Sequence, residues 1–310
     1  MTSKSDQETG KSDSQLQWQA YLVLTLTALC WGGNAVFGKL VVGEVSPMLV
    51  VSLRWLGVVL LLAVFAKQYV ARDWAILRYH LVYISIMGGV GFTGFNALFY
   101  IAAHSTSAVN IGIIQGSIPV YILIGGFIIY RTRVNWLQVC GVLTTIAGVL
   151  WVASKGNPQE FNVLTMNKGD ALLVMACAIY ASYTVGLRSR PQVSALGFFT
   201  VMAAAAFVTS LPLAVGELYL GQGQWPTPTG WWIVLAITLF PSFAAQILFM
   251  RGVELIGPNR AGVFVNLVPV FASLMAVSFL KEPFEAYHAL SLGLVLGGIW
   301  LSERGKKGAG

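Results

Sequence analysis

Long apolar runs broken by short polar stretches make up the chain from residue 18 onward. They cover 18–39, 46–66, 79–102, 107–130, 135–153, 169–187, 193–216, 230–251, 258–280 and 285–302. Each is near the roughly 20 residues that a helix needs to cross a bilayer. A helix also satisfies its backbone polar groups internally, as hydrocarbon requires. The pattern therefore predicts an all-α integral membrane protein with ten transmembrane helices and no extramembrane domain. Residues 1–17 are polar and read as a disordered cytoplasmic tail, and 304–310 as a short basic one. The first run lacks a good small-x-small cleavage site, which argues against a signal peptide.

Composition agrees: 56% of the residues are apolar and 10% charged, against roughly 25% charged in soluble domains. The net charge of +7 does not imply nucleic acid, because the basic residues lie between apolar runs. With a cytoplasmic N-terminus, fourteen Lys and Arg fall on the inside. Four fall outside (Lys39, Lys155, Lys168 and Lys281), and Arg54 lies within a span. The positive-inside rule then places both termini in the cytoplasm. Cys30, Cys140 and Cys177 sit singly in apolar runs, without a CxxC or a neighbouring histidine. They read as packing residues rather than disulfide or metal ligands.

The chain is also written twice. At an offset of 149 or 150, Trp31 meets Tyr180 and Asn34 meets Tyr183. Asn96 meets Gln246, Pro119 meets Pro269 and Gly148 meets Gly298. Two copies of five helices, 18–155 and 168–303, must enter the membrane from opposite sides. Such inverted repeats are the architecture of many secondary transporters.

Ala28-Leu29-Cys30-Trp31-Gly32-Gly33-Asn34 with Lys39, Arg54, and Asn266-Leu267-Val268-Pro269-Val270 with Lys281-Glu282 resemble the drug/metabolite transporter superfamily, as does Gly293 to Gly298. The likeness is to its ten-helix branch of two EamA-type domains. More narrowly, the chain resembles bacterial aromatic amino-acid exporters of the YddG type. The first half departs from the pattern, with Arg131-Thr132-Arg133 where such domains often carry an acid. The resemblance implies a carrier of the bacterial inner membrane that exports aromatic and other neutral amino acids and related metabolites. It implies one complete path per chain, so a monomer, although helices 5 and 10 are available for a dimer. A broad efflux carrier for amine-like compounds is the alternative.

Among candidate site residues, amides in hydrocarbon are costly unless paired or facing a cavity. Asn34, Asn96, Asn110, Gln115, Gln246 and Asn266 fall in helices 1, 3, 4, 8 and 9. Trp31, Tyr83, Tyr100, Tyr180 and Tyr183 join them, all but Asn110 being expected to bind substrate. Trp31 and Asn34 are expected in an outer vestibule, Tyr180 and Tyr183 in an inner one. Tyr79 and His80 start helix 3 and read as an inner gate, and Pro119 and Pro269 as paired hinges. Arg54 is expected to be structural, snorkelling outward, with a substrate carboxylate as the other possibility. Gly89-Val90-Gly91-Phe92-Thr93-Gly94 spells a dinucleotide fingerprint, but within a membrane helix it reads as a site of close packing or bending. No midmembrane carboxylate, Walker lysine or HExxH appears, so neither an enzyme nor a cofactor or metal is expected.

Overall fold

The computed structural model describes residues 4–132, 134–157 and 167–307. It is helical throughout, with no strand among the described residues. The helices are α1 (Lys4–Leu40), α2 (Pro47–Phe65), α3 (Lys67–Ala103), α4 (Ala108–Tyr130) and α5 (Trp136–Ala153). After the connection come α6 (Lys168–Ser189), α7 (Ala195–Tyr219), α8 (Pro228–Ile256), α9 (Arg260–Leu280) and α10 (Ala286–Lys307). Nine of these are long and apolar enough to cross a membrane, among the described residues. α10 is not one of the nine, its apolar middle being flanked by Tyr287-His288 and Glu303-Arg304.

The helix runs from Lys4, ahead of the first apolar run, the polar stretch containing no proline to stop it. Residues 1–3, 158–166, 308–310 and Arg133 lie outside the described residues. The break expected between helices 2 and 3 holds an amphipathic helix, Lys67–Leu77, joined to the rest of α3 by one 3₁₀ turn, Arg78–His80.

Helix ends are tied across the two halves. Ser46 and the N–H groups of Met48 and Leu49 at the start of α2 donate to Glu217 at the end of α7. Reciprocally, Ser194 at the start of α7 donates its N–H (2.8 Å) and its hydroxyl to Asp73, in the amphipathic first part of α3. A carboxylate at a helix N-terminus satisfies orphan amides and complements the dipole.

Duplication extends to the irregular backbone. Wide π-type turns occupy Gly89–Gly94 in α3 and Thr238–Ala244 in α8. Helix α4 breaks at Gly116-Ser117, and α9 passes through a 3₁₀ turn at Phe264–Leu267. Both resume with a proline in the first turn, Pro119 and Pro269. Both end in a left-handed residue, Arg131 at φ 50° and Lys281 at φ 56°. The prolines thus begin helical segments, where a missing N–H costs little, and do not interrupt continuous helices.

α5 and α10 pair along small-residue faces. Gly141, Thr145 and Gly148 are buried on α5, Ser291, Gly298 and Ser302 on α10. A Cβ on Gly298 would collide with the Gly141 carbonyl and the Thr145 backbone. Gly293 and Gly297, by contrast, face open space. Trp136 and Trp232 near helix starts, and Trp18 at the start of the apolar part of α1, are exposed, as interfacial anchors are.

Candidate functional site

A cavity with an empty volume of about 840 Å³ lies between the two halves, lined by α1–α4, α6, α8 and α9. Repeat-equivalent residues line it together: Trp31 and Tyr180, Asn96 and Gln246, Gly116 and Asn266, Pro119 and Pro269. Asn34, Gln115 and Arg54 complete the polar lining, and Trp55, Phe92 and Phe95 add aromatic wall.

Arg54 organises the cavity. It is 4% exposed, so it does not snorkel, contrary to expectation: its neighbours on α3 and α8 enclose it. Nε donates to the Ser242 hydroxyl at 2.9 Å, and Nη1 donates to Asn96 Oδ1 and to the Tyr100 hydroxyl at 2.9 Å. Both π-type turns feed this network. Asn96 donates to the Phe92 carbonyl, and Ser242 donates to the Ile237 carbonyl five residues back at 2.6 Å. Such turns displace carbonyls from the regular helical ladder and recur at functional sites. Tyr100 in turn donates to Asn34 Oδ1 at 3.4 Å. Four helices, α1, α2, α3 and α8, are thereby joined through one guanidinium.

Other cavity amides are uncommitted. The side chains of Gln115, Gln246 and Asn266 make no hydrogen bond to any described residue, and all three are half-buried. Asn34 uses only its oxygen. Free amides in a concave aromatic site suit a polar organic ligand.

On one side the cavity is sealed. Gly32 packs so closely on α9 that a Cβ would lie 2.9 Å from Ala272 N, and Gly112 meets Ala272 as well. Lys39 Nζ donates to the Ala103 carbonyl at 2.7 Å. Glu282 accepts from the N–H groups of Ala108 and Val109 at the start of α4. On the other side, residues 121–126 and 264–267 remain half-buried.

Of the ten expected substrate contacts, Trp31, Asn34, Asn96, Gln115, Tyr180, Gln246 and Asn266 line the cavity. Tyr100 lies behind Arg54. Tyr183 packs on Gly91 and Phe92, and Tyr83 donates to the Gly186 carbonyl at 2.7 Å. Trp31 and Tyr180 share one cavity, which corrects the expectation of separate vestibules; inversion mirrors depth, so equivalent residues meet only near the midplane. Tyr79 and His80, expected as an inner gate, are exposed on the 3₁₀ turn and are not among the residues lining the cavity. Pro119 and Pro269 line it.

Asn110 belongs to a separate buried cluster. It donates to Asp170, which also accepts from Thr106, and its oxygen lies 3.2 Å from His288 Nε2. His288 is 3% exposed, because α10 is held against the start of α4. Among the described residues no group of three His, Cys, Asp or Glu side chains could hold a metal.

Sequence reasoning missed Trp55, Phe92 and Phe95. Adjacency to Arg54 and to the glycines of 89–94 was the available signal, but neither gives the direction of a side chain around its helix.

A path-like cavity between duplicated membrane helices places this chain among transporters. It belongs to the EamA-like transporter family, of the drug/metabolite transporter superfamily, which matches residues 18–154 and again 167–304. An uncharacterized transporter of Bacillus subtilis, YetK, is 28% identical over 94% of this chain and 88% of its own length. An uncharacterized inner membrane transporter of Salmonella typhimurium, YicL, is 21% identical over 90% of this chain and 93% of its own. A solved crystal structure shares the fold, with a TM-score of 0.64 and 18% identity over 94% of this chain and 99% of that one.

Proposed function

We propose that this protein is a ten-helix carrier of the bacterial inner membrane, with both termini cytoplasmic. It exports aromatic and other neutral amino acids and related small metabolites by alternating access. The reading rests chiefly on the cavity between repeats, with its free amides of Gln115, Gln246 and Asn266 and its aromatic walls. Inverted repeats supply two similar halves that exchange conformations around a midplane site. α10 is the tenth span, the more so because it buries a continuous face on α5. The sealed side faces outward under the charge distribution, so the cavity is reached from the cytoplasm, as an exporter loading its cargo requires. Efflux of amines is the second reading, less favoured because the lining residues include a cationic Arg54 and no Asp or Glu.

The experiment is uptake of labelled phenylalanine, methionine and threonine by liposomes holding the purified protein, without an ion gradient. Saturable, mutually competing uptake is expected. No uptake with or without a proton or sodium gradient would remove amino acids from the reading.

A further inference from the structure

The cavity departs from its own two-fold symmetry at one place. Arg54 has no charged counterpart in the second repeat, where the equivalent stretch 202–204 is Met-Ala-Ala. It is a permanent cation in hydrocarbon, lining the cavity, and no carboxylate lies within ion-pair distance of it among the described residues. A buried charge is costly unless an opposite charge compensates it.

Two hydrogen-bond donors here lack acceptors. Arg54 Nη2 has no partner among the described residues, its Nε and Nη1 being committed to Ser242, Asn96 and Tyr100. The neighbouring Trp55 also lines the cavity, 2% exposed, and its indole N–H is buried without a partner. Trp55 is held by stacking on Phe92, ring centroids 4.5 Å apart, and the Arg54 guanidinium lies 5.4 Å from its ring. The indole N–H is the costly one of the two, since an unmade buried hydrogen bond is expensive, whereas Arg54 Nη2 is not among the buried unpartnered atoms and is free to meet a ligand.

We infer that Arg54 and Trp55 form a carboxylate subsite, and that the cavity selects small organic acids and amino acids by their carboxylate. A planar carboxylate has the acceptors for both donors and the charge that Arg54 lacks. The network to Asn96 and Ser242 fixes the guanidinium beforehand, so little ordering remains to be done on binding. The remaining amides and aromatic walls receive the rest of the substrate. This inference rests on the carrier reading for the location of the site, but not on amino acids being the cargo.

The test is binding to the purified full-length protein in detergent at neutral pH, measured calorimetrically. The ligands are phenylalanine, 3-phenylpropionate, phenylalaninamide and phenethylamine. The two carboxylates are expected to bind at least about tenfold tighter than the amide and the amine. Arg54→Gln should weaken the carboxylates about 10- to 100-fold and leave the amine unchanged. Trp55→Phe, which keeps the stacking ring, should weaken them several-fold. If Arg54→Gln does not fold, Arg54→Lys and the ligand series on the unaltered chain decide, Lys retaining part of the preference. Equal affinity for acid, amide and amine overturns the inference, as does absence of binding by all four or full carboxylate affinity in a folded Arg54→Gln. Arg54-dependent binding of 3-phenylpropionate without phenylalanine uptake would sink the amino-acid reading and leave the subsite standing. Phenylalanine uptake matched by its amide would do the reverse.

Discussion

Glu282, beyond the end of α9, accepts hydrogen bonds from the Ala108 and Val109 backbone at 2.9 and 3.0 Å, clasping the start of α4. The equivalent place in the first repeat holds Arg131-Thr132 and offers no carboxylate to the start of α9. The clasp therefore strengthens only one end of the cavity. Opening that end breaks two charge-assisted bonds at a helix N-terminus. Glu282→Gln is expected to favour the state open at that end by about tenfold, or about 1.4 kcal/mol. Labelling of a cysteine placed at Gln115, in a chain without Cys30, Cys140 and Cys177, by an impermeant reagent from outside the cell reads the change. An unaltered labelling rate would mean that the clasp does not govern the opening.

Gly32 marks the tightest crossing of α1 on α9, with Ala272 N and Phe271 Cβ each 2.9 Å from where its Cβ would lie. Gly32→Val must push the two helices apart, at a cost of about 1–3 kcal/mol for overpacking. A lower melting temperature and loss of uptake are expected together. Gly297→Val, at a position facing open space, serves as the control and should keep both.

Pro119 and Pro269 each restart a helix after a break beside the cavity. Alanine there restores a backbone donor and permits a more continuous helix. Each substitution is expected to slow maximal uptake several-fold with little change in substrate affinity, because the break lets the two ends of the helix move separately. Comparing the uptake rate with equilibrium binding separates the two effects.

Asp170 is 2% exposed and holds Thr106 and Asn110 apart from the cavity. Asp170→Ala leaves those donors short of an acceptor, costing about 1–3 kcal/mol. The melting temperature should fall while affinity for the substrate stays within about twofold, there being no cavity contact to lose. A large loss of affinity at unchanged stability would instead tie this cluster to the cargo.

Tyr79→Ala and His80→Ala should leave uptake within about twofold of the unaltered chain, both side chains being exposed, bonded among the described residues only to Arg78 and Ile76 nearby, and outside the cavity lining. Uptake abolished by either would return these residues to the pathway.

The sequence carried much of this molecule because hydrocarbon permits few alternatives. Apolar runs near twenty residues are accommodated in hydrocarbon as helices, so nine of the spans and their order could be read directly among the described residues. The offset of 149 or 150 paired Trp31 with Tyr180, Asn96 with Gln246 and Pro119 with Pro269, and these pairs line one cavity. Their meeting was not legible. Position along a helix gives depth in the membrane, whereas facing depends on rotation about the helix axis and on how helices cross. Tyr180 and Tyr183 are three residues apart, yet only the first lines the cavity, the second being packed on Gly91.

Linear order by itself thus determined the membrane, the duplication and the pool of polar residues, because hydropathy and self-similarity are one-dimensional properties. The tertiary structure alone decided which of those residues converge. It also decided that Arg54 is buried with no counter-ion among the described residues, beside the unsatisfied Trp55. Burial and hydrogen bonding are relations between segments far apart in the chain. They acquire a sign only once α2, α3 and α8 have packed.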